Sequence, residues 1–237
     1  MRLPGLVEEF VTPLAALVYP RVCFACNRPV ADEMTSRVCD TCWKGISPAS
    51  AHQDVLHETR ETLREHGQID DLLSPYLFDG GGTLQTIIHQ LKYSGVPSLG
   101  RELGGRIGRL AITAGLSPDA TLLVPVPLHH VKLRERGYNQ SDHICRGIAA
   151  ATGIAVASTA LRRVRYTVSQ TTLTARERHQ NVDDAFSLSR PDWRIPGVTV
   201  LLVDDVITTG ATMCGCARVL RSAGAIRLIA CSAAIAP

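Results

Sequence analysis

Apolar residues recur along this chain in two rhythms. Leu84, Ile87, Ile88 and Leu91 repeat at helical spacing, and residues 98–114 continue in the same texture. Leu6, Phe10, Leu14, Leu17 and Val18 form a similar stripe over residues 3–18. By contrast, Thr121–Val126, Val198–Val203 and Ile226–Ser232 are short continuous apolar runs, the mark of strands buried on both faces. Helices are predicted over 139–152, with Asn139 or Ser141 as cap, and over 212–223, with Gly224 as terminator. Tyr76–Asp79 reads as a short strand. Strands alternating with helices imply an α/β fold with a parallel sheet flanked by helices. Residues 47–72 are polar and rich in His and Glu, with weak helical character, and read as a linker or hood segment. The chain therefore divides into 1–46, 47–72 and 73–237.

The apolar fraction, 45% of 237 residues, excludes a disordered chain, and no apolar run is long enough for a membrane helix. Glu8 and Glu9 interrupt the N-terminal stripe, which argues for an amphipathic helix rather than an export signal. Charge is unevenly spread. Residues 1–75 carry 7 basic and 11 acidic side chains, whereas residues 129–182 carry 9 basic and 3 acidic. The basic segment suits a polyanionic ligand (phosphate, pyrophosphate or nucleic acid), or is an Arg-rich solvated face.

Eight cysteines fall in two groups. Cys23, Cys26, Cys39 and Cys42 have the spacing C-x2-C-x12-C-x2-C, that of a zinc ribbon or treble-clef knuckle. Four thiolates complete a tetrahedral shell and leave no position for water, so the zinc would be structural. Two disulfides closing such short loops would staple little. A redox pair would be expected to open a helix after a strand. Cys145, Cys214, Cys216 and Cys231 lie in apolar context, and free thiols fit a reducing cytoplasm.

The stretch VLLVDDVITTGATM, residues 200–213, carries the most chemistry. An apolar strand is read as stopping at Asp204 and Asp205, before a small hydroxyl-rich turn, Thr208, Thr209, Gly210, Ala211 and Thr212, that opens a helix. Backbone N–H groups of such a turn and the positive helix end cradle a phosphate. The two carboxylates would repel a bare phosphate, so they face ribose hydroxyls, or Mg²⁺ through water. Acid pair and cradle together imply a ribose 5-phosphate group. Neither a Walker A loop nor a dinucleotide fingerprint is present.

This stretch resembles the phosphoribosyl-pyrophosphate (PRPP) signature of type I phosphoribosyltransferases. With LLVPVPLHHVKLRERGYNQ (122–140), QTTLTARERHQNVDDAF (170–186) and the cysteine knuckle, the chain resembles the ComF/GntX-like phosphoribosyltransferase family, tied to DNA uptake in natural competence. The resemblance implies a type I phosphoribosyltransferase-like sheet with a small N-terminal zinc ribbon. It implies that Asp204 and Asp205 hold the ribose 2′- and 3′-hydroxyls and that residues 208–212 hold the 5-phosphate. Residues 127–139 would be the pyrophosphate loop, where Lys132, Arg134 and Arg136 stabilise the leaving group. Residues 162–182 would be a catalytic flap, Arg176 and Arg178 supplying charge neutralisation, although Thr174 and Glu177 also have capping-box spacing. Lys92 matches a position near the ribose-phosphate, or complements its helix dipole. His129 and His130 are candidates for a general base, and Tyr138, Tyr166 and Phe186 for an acceptor pocket.

The expected activity is Mg²⁺-dependent phosphoribosyl transfer from PRPP to an acceptor the sequence does not name. The alternative is a PRPP-sensing or single-stranded-DNA-handling module, with competence proteins as partners and no membrane association.

Overall fold

The computed structural model describes residues 21–31, 36–165 and 185–237. The stripe over 3–18, the predicted flap arginines Arg176 and Arg178, and Tyr166, Gln170, Thr174, Glu177 and Asn181 lie outside the described residues.

Six strands form one parallel sheet: β1 (Asp71–Leu73), β2 (Tyr76–Leu77), β3 (Thr121–Pro125), β4 (Ala155–Val156), β7 (Thr199–Ile207) and β8 (Arg227–Ile235). Their order is β1-β8-β7-β3-β4, with β2 also paired to β8. β5 (Leu161–Arg163) and β6 (Phe186–Leu188) form a separate antiparallel ribbon. In chain order the described helices are α1 (Asp40–Lys44), α2 (Gln53–Gly67), α3 (Thr83–Tyr93), α4 (Pro97–Thr113), α5 (His130–Arg136), α6 (Gln140–Thr152) and α7 (Ala211–Ser222).

The three apolar runs become the centre of the sheet because both of their faces are covered. Val124, Val200, Leu202, Leu228 and Ala230 pack with residues of α2 and α7. Leu123, Leu201, Val203, Ile229 and Cys231 pack with α3, α4 and α6. β3 crosses through α6 to β4 on one side, and β7 crosses through α7 to β8 on the other. The connections thus diverge at the carboxyl ends of the paired strands β3 and β7, the place where open α/β sheets bind ligands.

Two features depart from the expected pattern. β7 does not stop before the acids; it continues through Asp204 and Asp205 to Ile207, pairing Asp204 with Ser232 and Val206 with Ala234. Ladder hydrogen bonds are made by the backbone, so a change in side-chain polarity does not end them. Residues 47–72 contain the 15-residue helix α2, whose Leu56 and Leu63 are buried in the core.

Helices α4 and α6 approach unusually closely. A Cβ on Gly104 would overlap the Ile144 carbonyl oxygen, and one on Gly147 would overlap the Arg101 carbonyl oxygen. Only glycine permits this contact.

Candidate functional site

Asp204 and Asp205 sit near the carboxyl end of β7 and have different partners. Asp205 is buried, and its Oδ2 lies 2.9 Å from Lys92 Nζ in the last turn of α3. Lys92 therefore has a partner in the acid pair, beyond any role at its own helix end. Asp204 is half-buried. Its Oδ1 accepts from Ser141 Oγ at 2.9 Å and from the Asp205 backbone N–H at 2.9 Å. Burial, and then the neighbouring Asp205 charge, push the Asp204 carboxyl up to about 7, against the opposing pull of the Asp205 amide, Lys92 and Ser141.

Beyond β7 the chain turns through Thr208, Thr209 and Gly210 into α7. Gly210 has φ 71°, a left-handed conformation that favours glycine. A Cβ there would also come within 2.9 Å of Leu63 Cδ2, so α2 forms the floor beneath this turn. Gly67, at the end of α2, packs as closely on Cys214 of α7. Thr208 is exposed, Thr209 and Thr212 are half-buried, and Ala211 begins the helix. The turn thus presents hydroxyls and a helix N-terminus beside the acid pair.

The stretch after β3 is not a simple loop. His129 caps α5, its Nδ1 accepting from the Val131 N–H at 3.4 Å. This ring is buried, lies 4.0 Å from that of His130, and is held below the usual histidine range by burial and then by the His130, Arg163 and Arg134 charges. Lys132 lies 3.9 Å from Glu135, and Arg134 is exposed. Arg136 donates to Gln140 Oε1 and lies over the Tyr93 ring, 5.4 Å from its centroid. Asn139 caps α6 through the Ser141 N–H at 3.1 Å, while its Nδ2 donates to Val126 O at 2.9 Å. This places Ser141 beside Asp204.

Among the described residues, the candidate acceptor-pocket aromatics Tyr138 and Phe186 have structural partners. Tyr138 donates to Leu91 O and meets His143 edge-on at 5.2 Å, and Phe186 is buried in the core. Ser141, Tyr93 and Leu63 are the site neighbours that the sequence pattern did not single out for this role.

The sulfur atoms of Cys23, Cys26, Cys39 and Cys42 lie within 4.8 Å of one another, a set able to hold a metal ion. Cys23 Sγ accepts from the Ala25 and Cys39 N–H groups at 3.4 and 3.3 Å. Hydrogen bonding from Arg28, foremost from its backbone, lowers the Cys26 thiol to about 6. Burial and the neighbouring thiols push that of Cys42 up. The knuckle docks on α4: Arg37 N and Ser36 Oγ bind the Glu102 carboxylate at 2.7 and 2.5 Å, and Arg106 lies 3.7 Å above the Trp43 ring. Cys145, Cys214, Cys216 and Cys231 are buried and free. Among the described residues no helix is long and apolar enough to cross a membrane.

Fold and sequence comparison give the same class. Residues 144–236 match the phosphoribosyl transferase domain. The chain is 31% identical over 234 residues to the DNA utilization protein YhgH of Escherichia coli K12, covering 95% of this chain and 94% of that one. Competence protein F of Haemophilus influenzae is 39% identical over 107 residues, 45% of this chain and 46% of that one. A ribose-phosphate pyrophosphokinase of Prochlorococcus marinus shares 53% identity over 38 residues, 16% of this chain and 11% of that one. The chain belongs to the ComF/GntX-like family of phosphoribosyltransferase-domain proteins, with four clustered cysteines at its N-terminal end.

Proposed function

We propose that this protein binds PRPP with Mg²⁺ and transfers its phosphoribosyl group to a nucleophilic acceptor, releasing pyrophosphate. The observation that carries the reading is the acid pair at the end of β7, next to the Thr208–Thr212 turn and tied to Lys92. Asp204 and Asp205 accept hydrogen bonds from the ribose hydroxyls. The turn and the N-terminus of α7 hold the 5-phosphate. Lys132 and Arg136, one turn apart on α5, are assigned to the pyrophosphate, where they offset the charge that develops as it leaves, while Arg134 projects from another side of that helix. The C1–O bond to pyrophosphate breaks, the acceptor–C1 bond forms, and the acceptor gives up a proton. Arg176 and Arg178 are assigned to closure over the reacting centre. Mg²⁺, bound with PRPP, supplies further charge neutralisation at the pyrophosphate.

The cysteine set is assigned to structural zinc, on the strength of four converging thiols and the N–H groups directed at Cys23. The names of the relatives, DNA utilization protein and Competence protein F, support a setting in DNA uptake. Buried free cysteines support a reducing, cytoplasmic location.

The test is calorimetric titration with PRPP and Mg²⁺, beside an Asp204→Asn/Asp205→Asn variant. Saturable binding by the wild type and a loss of about 100-fold or more in the folded variant are expected. Retained affinity in the variant would refute the assignment.

A further inference from the structure

Three consecutive residues in the last turn of α3 each contact the candidate site. The Leu91 carbonyl accepts from Tyr138 in the turn between α5 and α6. Lys92 Nζ meets Asp205 Oδ2 at 2.9 Å. The Tyr93 ring lies under the Arg136 guanidinium at 5.4 Å. Two of these contacts fall on the stretch after β3 and the third on the end of β7. Tyr93 remains 65% exposed, much for a large aromatic ring, and its ring also lies beside that of His89, the centroids 4.9 Å apart and the planes tilted by 46°. Burial therefore does not hold this ring in place; its contacts are with the Arg136 guanidinium and His89.

We infer that Tyr93 is a positioning residue: with Gln140, its ring holds the Arg136 guanidinium over the pyrophosphate subsite while the adjacent Lys92 fixes the ribose acids. The inference rests on the assignment of PRPP as ligand and adds to it the group that orders the pyrophosphate end. A guanidinium held between an amide oxygen and an aromatic face loses less rotamer freedom on meeting an anion than one free in solvent. The effect is confined to the anion that Arg136 meets. The ribose 5-phosphate end depends on Asp204, Asp205 and the Thr208–Thr212 turn, none of which touches Tyr93 in the contacts described.

The experiment uses the full chain with three probes: Mg²⁺-PRPP, inorganic pyrophosphate with Mg²⁺, and ribose 5-phosphate. Tyr93→Ala is expected to weaken PRPP and pyrophosphate about fivefold, the scale of one cation–π contact, and to leave ribose 5-phosphate unchanged. Tyr93→Phe keeps the aromatic face and is expected to bind all three as the wild type does. Arg136→Ala is expected to weaken the same two probes, and adding Tyr93→Ala to it should cost nothing more. Tyr93→Ala binding pyrophosphate at wild-type affinity, losing ribose 5-phosphate in equal measure, or adding its full effect to Arg136→Ala would overturn the inference. Wild-type protein that binds none of the probes would refute the PRPP assignment itself, and the inference with it.

Discussion

The knuckle and the end of β7 each crowd acidic groups of one kind, and they relieve that crowding differently. Four thiols converge within 4.8 Å, and the groups that meet them are mainly one another and N–H groups of their own turns. Two carboxylates stand side by side on β7 and are met by side chains from other elements, Lys92 of α3 and Ser141 of α6. The first cluster turns its four thiols toward one another. The second is left incomplete, because Asp204 is half-buried and its carboxyl has been raised to about 7. A closed shell of ligands can build structure. A charge desolvated but only partly satisfied makes the site costly when empty and favourable when a ligand supplies the missing donors.

Metal removal should separate the two regions most sharply. Chelation is expected to abolish hydrogen-exchange protection over residues 21–31 and 36–46 before any change in β7 or β8, since ligand binding and folding are coupled in such sites. Unchanged protection there in metal-free protein would show that the thiols need no ion. The acid pair should respond in the opposite sense. The folded-state pKa of Asp204 lies above its ordinary value of 3.8, so the folded protein binds this proton more tightly than the unfolded chain does. Its contribution to stability is therefore most favourable below about pH 4 and is lost as pH rises toward and through about 7. Asp204→Asn removes that loss. The variant should melt about 5 °C above the wild type at pH 8 and close to it at about pH 3.5, below the ordinary value of 3.8, a difference that differential scanning calorimetry resolves. Equal melting at both pH values would mean that Asp204 is not desolvated.

The smallest effect is expected at Ser141, whose hydroxyl favours the ionised form of Asp204. Ser141→Ala should cost about 1 kcal/mol of stability and move the Asp204 titration, followed by carboxyl NMR, to higher pH. A midpoint that stays in place would remove Ser141 from the site.

How much of this was legible in the sequence depended on distance along the chain. The cysteine spacing, the acid pair and the threonine turn are local patterns whose chemistry needs only neighbouring residues, and the structure gathers the residues of each. Ser141 reaches Asp204 across 63 positions, and no periodicity announces that contact. Helix α2 read as weakly helical because only a narrow edge of it, around Leu56 and Leu63, enters the core, while its His and Glu residues dilute the signal. The end of β7 was misplaced because an acidic pair interrupts hydrophobicity without interrupting backbone pairing.

The contact of Leu63 with Gly210 bears on where this molecule can be divided. The phosphoribosyl transferase domain match spans residues 144–236, yet the floor under its turn at Thr208, Thr209 and Gly210 comes from a helix that begins at Gln53. A fragment that starts at residue 73 would keep Asp204, Asp205 and residues 208–212 and lose the surface on which the turn rests. The piece that the domain match covers is therefore smaller than the piece that supports the turn, and a division that keeps the support lies upstream of α2.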